Sequence, residues 1–237
     1  MPDHVGIVAC SAEGAALCYR TLCGEGATLL GSHDHPEVSM HTHPLASYMK
    51  CIERNDWAGV GELMLSSANK LATAGADFLI CPDNTMHQAM PYIEGRSPLR
   101  WLHIAQVVAA RAVERGFRRL GITGTRYLVE SDVYPEQLAA RGLDYVRPSA
   151  DECDEINRII MDELVNGVFT ADAVACFQRV MRRMKEQGCD AVVLGCTEIP
   201  LIMSDANSPL PTLDSTRLLA RAALRRAVGP AQVLADF

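Results

Sequence analysis

The sequence predicts an α/β protein of two pseudosymmetric domains, each a mainly parallel sheet flanked by helices, with an active site at the interdomain cleft. Three observations predict it. Short apolar runs alternate with amphipathic stretches along the chain. Two strand-to-loop junctions recur at nearly the same offset. The residues able to do chemistry cluster just after the apolar runs.

Val5-Gly6-Ile7-Val8-Ala9 reads as a first buried strand, ending at Cys10-Ser11-Ala12-Glu13-Gly14. Val60, Met64, Ala68, Leu71 and Ala72 then recur at spacings of three and four, the stripe of a helix with one buried face. Phe78-Leu79-Ile80-Cys81 and Leu120-Gly121-Ile122-Thr123 are the next strands. Val180, Met184 and Gln187 end a second helix, stopped by Gly188, before the strand Ala191-Val192-Val193-Leu194. Strands that are apolar throughout are buried on both faces, and their alternation with helices implies a mainly parallel sheet.

The segment Gly75-Ala76-Asp77 through Thr85 lies 113 positions before Gly188-Cys189-Asp190 through Glu198, and both read Gly-x-Asp, apolar strand, polar strand end. Val5 to Cys10 matches Leu120 to Thr125 at an offset of 115. Two separate junctions with such similar offsets indicate a duplicated architecture, with a period too long for a solenoid. The expected halves are residues 1–98 plus 208–237 and residues 99–207, with Pro91 to Pro98 as the crossover.

The chain has 237 residues, 49% hydrophobic and 22% charged, enough for two modest domains with real cores. A net charge of −7 points away from nucleic acid and anionic membranes as partners. Its nine cysteines are odd in number and contain no CxxC pair, which argues against a disulfide framework. Met1-Pro2-Asp3-His4 lacks the start of a signal peptide, and no apolar stretch approaches a membrane span. The expectation is a reduced, cytoplasmic protein.

In parallel α/β sheets, ligands sit beyond the carboxyl ends of the strands. That rule selects Ser11 with Cys10, then Asp83, Asn84 and Thr85, then Thr125, and finally Cys196, Thr197 and Glu198. The duplication makes Asp83 and Cys196 equivalent. Facing each other across a pseudo-twofold, they suit stereoinversion: one group takes a proton from one face of a carbon and the other returns one to the opposite face. Ser11, Asn84, Thr85, Thr125 and Thr197 are candidates to hold a carboxylate, although each is also a residue type that caps helices or forms turns. Glu198 either orients Cys196 or caps its helix. The His33-Asp34-His35 and His41-Thr42-His43 segment admits metal binding or substrate recognition, but alternating histidines also occur on ordinary strand faces, and no metal is expected. No glycine-rich phosphate loop follows a strand, so no nucleotide cofactor is expected.

Asn84-Thr85-Met86-His87, Leu102-His103-Ile104, Gly124-Thr125-Arg126-Tyr127, Gly195-Cys196-Thr197-Glu198 and Pro211 to Thr216 together resemble the aspartate/glutamate racemase family along nearly the whole chain. The resemblance implies a two-domain pseudosymmetric fold, a homodimer, and proton transfer at the α-carbon of an acidic amino acid without PLP, metal or other cofactor. It also implies Cys196 as one catalytic group. The family pattern has a second cysteine just before Asn-Thr; here that position is Asp83, with Cys81 deeper in the strand. An ordinary carboxyl group (pKa ~3.9) is a weaker base than a thiolate (pKa ~8.5), so the expectation is an enzyme with unequal faces. The change leaves two alternatives open: a single-thiol lyase, decarboxylase or cis–trans isomerase of a small dicarboxylate, and an amino-acid-binding paralogue without turnover.

Overall fold

The computed structural model describes residues 1–229. The chain forms two compact units, Met1–Ile104 with the described chain from Thr216, and Ala105–Ser215. Residues 230–237 of the expected first half lie outside the described residues.

The first unit contains β1 (Val5–Ala9), α1 (Ala12–Leu30), β2 (Val38–Thr42), α2 (Leu45–Ile52), α3 (Trp57–Thr73), β3 (Phe78–Ile80), α4 (Met90–Ile93) and β4 (Arg100–Leu102). After α5 (Ile104–Glu114) come β5 (Arg119–Thr123), α6 (Arg126–Val129), α7 (Val133–Ala139), β6 (Asp144–Val146), α8 (Ala150–Arg158), α9 (Ala171–Glu186), β7 (Ala191–Leu194), β8 (Thr212–Asp214) and α10 (Ser215–Val228). Each unit holds a four-stranded sheet, ordered β2-β1-β3-β4 in the first and β6-β5-β7-β8 in the second, and every strand pair is parallel. The two orders are the same order, so the duplication read from the sequence is a duplication of topology.

The repeated Gly-x-Asp has the same task in both units. Gly75 (φ 95°) and Gly188 (φ 86°) turn the chain out of α3 and α9 in a left-handed conformation that side-chain-bearing residues resist. Two residues on, Asp77 accepts the His4 N–H at 2.7 Å and Asp190 accepts the Arg118 N–H at 2.7 Å. Each carboxylate ties the start of the third strand of its unit to the start of the first, β3 to β1 and β7 to β5.

The stripe Val60, Met64, Ala68 and Leu71 is buried as expected, and α3 packs against β1 and β2. Val180 and Met184 are buried in the second unit among Ile156, Ile160, Phe177 and Val192. Each such side chain, once fully buried, contributes roughly 1.5–3 kcal/mol relative to exposure. Gln187 departs from the expected stripe: it is exposed and closes α9 through its backbone N–H. The Pro91 to Pro98 stretch runs from α4 towards β4 inside the first unit.

Candidate active site

In each sheet the chain leaves the first strand toward one neighbour and reaches the third strand on the other side. The carboxyl ends of β1 and β3, and of β5 and β7, are therefore where the loops diverge and leave room for a ligand. The first pair of ends carries Cys10-Ser11 and Asp83-Asn84-Thr85. The second carries Thr125 and Cys196-Thr197-Glu198.

Ser11 caps α1, its hydroxyl accepting the Gly14 N–H at 3.3 Å. Asp83 is partly buried, and its Oδ1 accepts the Thr85 N–H at 3.2 Å, which starts the 3-10 turn Thr85–Ala89. Asn84 and Thr85 are buried. Cys81, two residues before Asp83, is fully buried with its thiol 3.8 Å from the Asp83 carbonyl. Burial first, and the Asp83 charge second, push this thiol well above the usual cysteine range. A thiol so hard to ionise is no substitute for the missing family cysteine.

Behind these ends lie two histidines. His87 Nε2 is 3.1 Å from the Cys81 carbonyl, so this nitrogen carries the hydrogen and donates it, leaving Nδ1 as a bare lone pair. The His103 ring stands edge-on to it at 4.4 Å. The Nδ1 atoms of both rings are buried without a hydrogen-bond partner among the described residues. Burial, then the neighbouring ring, holds His87 well below the ordinary histidine range, and burial brings His103 down to about 4. Both are neutral at physiological pH.

His41 and His43, on and just after β2, lie beside α3. Both turn onto α3: His41 Nδ1 lies 2.9 Å from Ser67 Oγ, and His43 Nε2 lies 3.1 Å from Ser66 Oγ. Lys70 Nζ is 3.0 Å from His41 Nε2. Desolvation, then the Lys70 charge, then His43, lower the His41 pKa and keep the ring neutral. The described residues hold no group of three histidine, cysteine or carboxylate side chains placed to bind a metal ion.

In the second unit, Gly124 and Gly195 allow β5 and β7 to close on each other. A Cβ on Gly195 would lie 2.5 Å from the Thr123 carbonyl oxygen, and one on Gly124 would lie 3.2 Å from that of Gly195. Thr125 caps α6 by accepting the Leu128 N–H at 3.4 Å. Cys196 is half-buried against the apolar core of this unit, with Thr197 and Glu198 buried beside it. Its Sγ donates to Glu198 Oε2 at 2.8 Å. Glu198 makes no side-chain cap bond to the 3-10 turn Ile199–Leu201 that follows it. Of the two roles open to Glu198, the structure holds it in the thiol contact.

All eight site residues expected from the sequence thus stand at strand ends, four in each unit. Sequence reasoning missed the edge-on pairing of His87 with His103, the contact of His41 with buried Ser67, and the buried hydroxyl of Tyr48. Alternation in His41-Thr42-His43 was the available signal, but nothing local identifies α3 as what those rings meet.

A family model for Asp/Glu/hydantoin racemases matches residues 12–223. The chain belongs to the Asp/Glu/hydantoin racemase family. As a member it is an isomerase of the racemase type. It is 20% identical over 192 residues to the broad-specificity amino-acid racemase RacX of Bacillus subtilis strain 168, covering 79% of this chain and 80% of that one. Among solved structures, a Yersinia pestis protein provisionally described as an Asp/Glu racemase superposes with TM-score 0.88 at 27% identity, over 96% of this racemase and all (100%) of that chain. An aspartate racemase homologue from Pyrococcus horikoshii OT3 shares the fold, with TM-score 0.84 at 23% identity, over 97% of this chain and 100% of that chain. No helix among the described residues of the racemase is long and apolar enough to cross a membrane.

Proposed function

We propose that this family member is a PLP- and metal-independent racemase or epimerase of an acidic amino acid of the aspartate or glutamate type, with Cys196 serving one face of the α-carbon and Asp83 the other. One observation carries the reading. Asp83 follows β3 and Cys196 follows β7, the third strands of two identically ordered sheets, so two different proton-carrying groups occupy equivalent places. A common site for both units is part of the proposal. In one direction the Asp83 carboxylate takes the α-proton and the Cys196 thiol returns one to the opposite face; in the other direction Cys196 acts as thiolate and Asp83 as acid. Ser11, Asn84, Thr85, Thr125 and Thr197 are proposed to hold the substrate carboxylates, and Glu198 to hold the thiol. The proposed assembly is a cytoplasmic homodimer, to be checked by light scattering and fractionation.

The contact of Asp83 Oδ1 with the Thr85 N–H favours a second reading, because a carboxylate engaged in starting a turn is less available as a base. Cys196 would then work alone as a lyase, decarboxylase or cis–trans isomerase of a small dicarboxylate.

The deciding experiment incubates the reduced protein with L- and D-amino acids in D2O, following α-proton loss by NMR and handedness by chiral chromatography. Exchange with inversion supports the racemase and names its substrate. Exchange with retention leaves Cys196 acting alone. No exchange with any amino acid sinks the proposal, and products of altered mass from small dicarboxylates would establish the second reading.

A further inference from the structure

Tyr48 reaches from α2 into the first unit and is fully buried, yet its hydroxyl makes no hydrogen bond among the described residues. A buried phenol usually has a partner, so an orphaned one requires an explanation. The polar groups near enough to act on it electrostatically are Ser67 behind it and Cys81, Cys10 and Asp83 at the strand ends. Ser67, itself fully buried, is joined to His41 at 2.9 Å, and His41 to the exposed Lys70 at 3.0 Å.

The donor directions along this line agree. The Lys70 ammonium can only donate, so His41 Nε2 accepts, and the hydrogen of the neutral ring sits on Nδ1. Nδ1–H then donates to Ser67 Oγ, whose own hydroxyl hydrogen is left to go onward. Ser67 is the neighbouring hydroxyl able to offer that hydrogen to Tyr48, where a donor favours the phenolate form. From solvent inward, Lys70 and His41 each present a hydrogen to the next group, and the Ser67 hydrogen remains to be offered to Tyr48.

We propose that Lys70, His41, Ser67 and Tyr48 form a proton path between solvent and Asp83, resetting the enzyme between turnovers. The inference rests on the racemase reading. A turnover in which Asp83 gives its proton and the Cys196 thiolate takes one leaves Asp83 ionised and Cys196 protonated; before the same enantiomer can react again, Asp83 regains a proton through this path and Cys196 releases one to solvent. As Asp83 takes the Tyr48 hydrogen, Tyr48 takes that of Ser67, Ser67 that of His41 Nδ1, and His41 Nε2 that of Lys70, which solvent reprotonates. No hydroxyl ionises on the way, which suits a phenol whose anion is strongly disfavoured by burial. The bond from Ser67 to Tyr48 and the one from Tyr48 to Asp83 form during transfer.

The test is Tyr48→Phe, which removes the hydroxyl and keeps the ring, with Ser67→Ala as a second interruption and thermal melts as the control for folding. Initial rates and full progress curves are taken for both enantiomers from low to saturating substrate. Proton return limits the rate only when substrate is saturating. The expected result is therefore a fall of about tenfold or more in kcat, several times larger than any fall in kcat/KM, with slowing at high substrate setting in earlier. Equal losses in kcat and kcat/KM, or none in either, overturn the path while leaving the racemase standing. Wild-type enzyme without α-proton exchange on any amino acid overturns the racemase reading, and the path with it.

Discussion

Cys196 donates its thiol hydrogen to Glu198 Oε2 across 2.8 Å, within the turn that leaves β7. Glu198 is only 3% exposed, so solvent screens the contact little. Glu198→Gln keeps the shape of the side chain and removes its charge. It is expected to slow α-proton exchange by about ten- to a hundredfold, the equivalent of roughly 1.5–3 kcal/mol for a hydrogen bond to a charged group. Alkylation of Cys196 by iodoacetamide at neutral pH should become faster, because a negative charge no longer opposes the developing thiolate. A role confined to packing would leave alkylation unchanged.

Asp83 performs a structural task that asparagine can take over, since an amide oxygen also accepts the Thr85 N–H seen at 3.2 Å. Asp83→Asn should therefore fold normally, with a melting temperature within about 2 °C of wild type. It cannot take a proton, so exchange from the enantiomer that Asp83 serves should fall by about a hundredfold or more, and from the other by less. Asp83→Cys should bring the two directions closer together, a thiol of pKa ~8.5 being the better matched group. Rates unchanged in both directions for Asp83→Asn would remove Asp83 from the chemistry.

The legible strands were β1, β3, β5 and β7, and the strand orders explain why. These are the inner strands, buried on both faces, and so β1, β3 and β7 are apolar throughout and β5 is apolar from Leu120 to Ile122. The edge strands β2 (Val38–Thr42), β4 (Arg100–Leu102), β6 (Asp144–Val146) and β8 (Thr212–Asp214) keep exposed or half-exposed positions, and the last three span only three residues each, too few to establish alternation. The candidate site residues were read from the same inner strands, because in parallel α/β sheets ligands sit beyond the carboxyl ends of such strands. Tyr48 was not: in sequence it is one apolar position of a short helix, and only the packing of α2 on α3, which itself lies against β1 and β2, brings it near Cys81 and Ser67. The partner of Glu198 was likewise undecided, because the thiol and the following turn were both two or fewer residues away.

The edge-on pair of buried His87 and partly buried His103 predicts acid sensitivity of folding. His103 has a folded pKa of about 4 against an unfolded value of 6.5, and His87 is shifted the same way. The unfolded chain therefore binds more protons than the folded one between these values. Stability from this source is fully present above pH 6.5, and is lost progressively as pH falls toward 4. For His103 the loss is on the order of 3 kcal/mol. Denaturant melts at pH 7, 5.5 and 4.5 should show this fall. His103→Phe keeps an edge-on ring and removes one titrating group, so its stability should decline less steeply over the same range. Parallel pH profiles for the two proteins would contradict the assignment.

Gly195 and Gly24 predict opposite outcomes for the same substitution. Gly195 donates its N–H to the Thr123 carbonyl at 2.9 Å, and a Cβ there would lie 2.5 Å from that same oxygen. Gly195→Ala must therefore push β7 away from β5 just where Cys196 begins its turn. The expected cost is about 1–3 kcal/mol, with a loss of α-proton exchange beyond what the change in folded fraction explains. Gly24 lies exposed within α1, and a Cβ there meets nothing within 4 Å. Gly24→Ala removes only the conformational freedom of the unfolded glycine and should stabilise by about 0.5–1 kcal/mol with exchange unaltered. Urea melts and exchange rates on both variants decide the matter. A tolerated alanine at position 195 would mean that the close approach of β5 to β7 does not set the position of the Cys196 thiol.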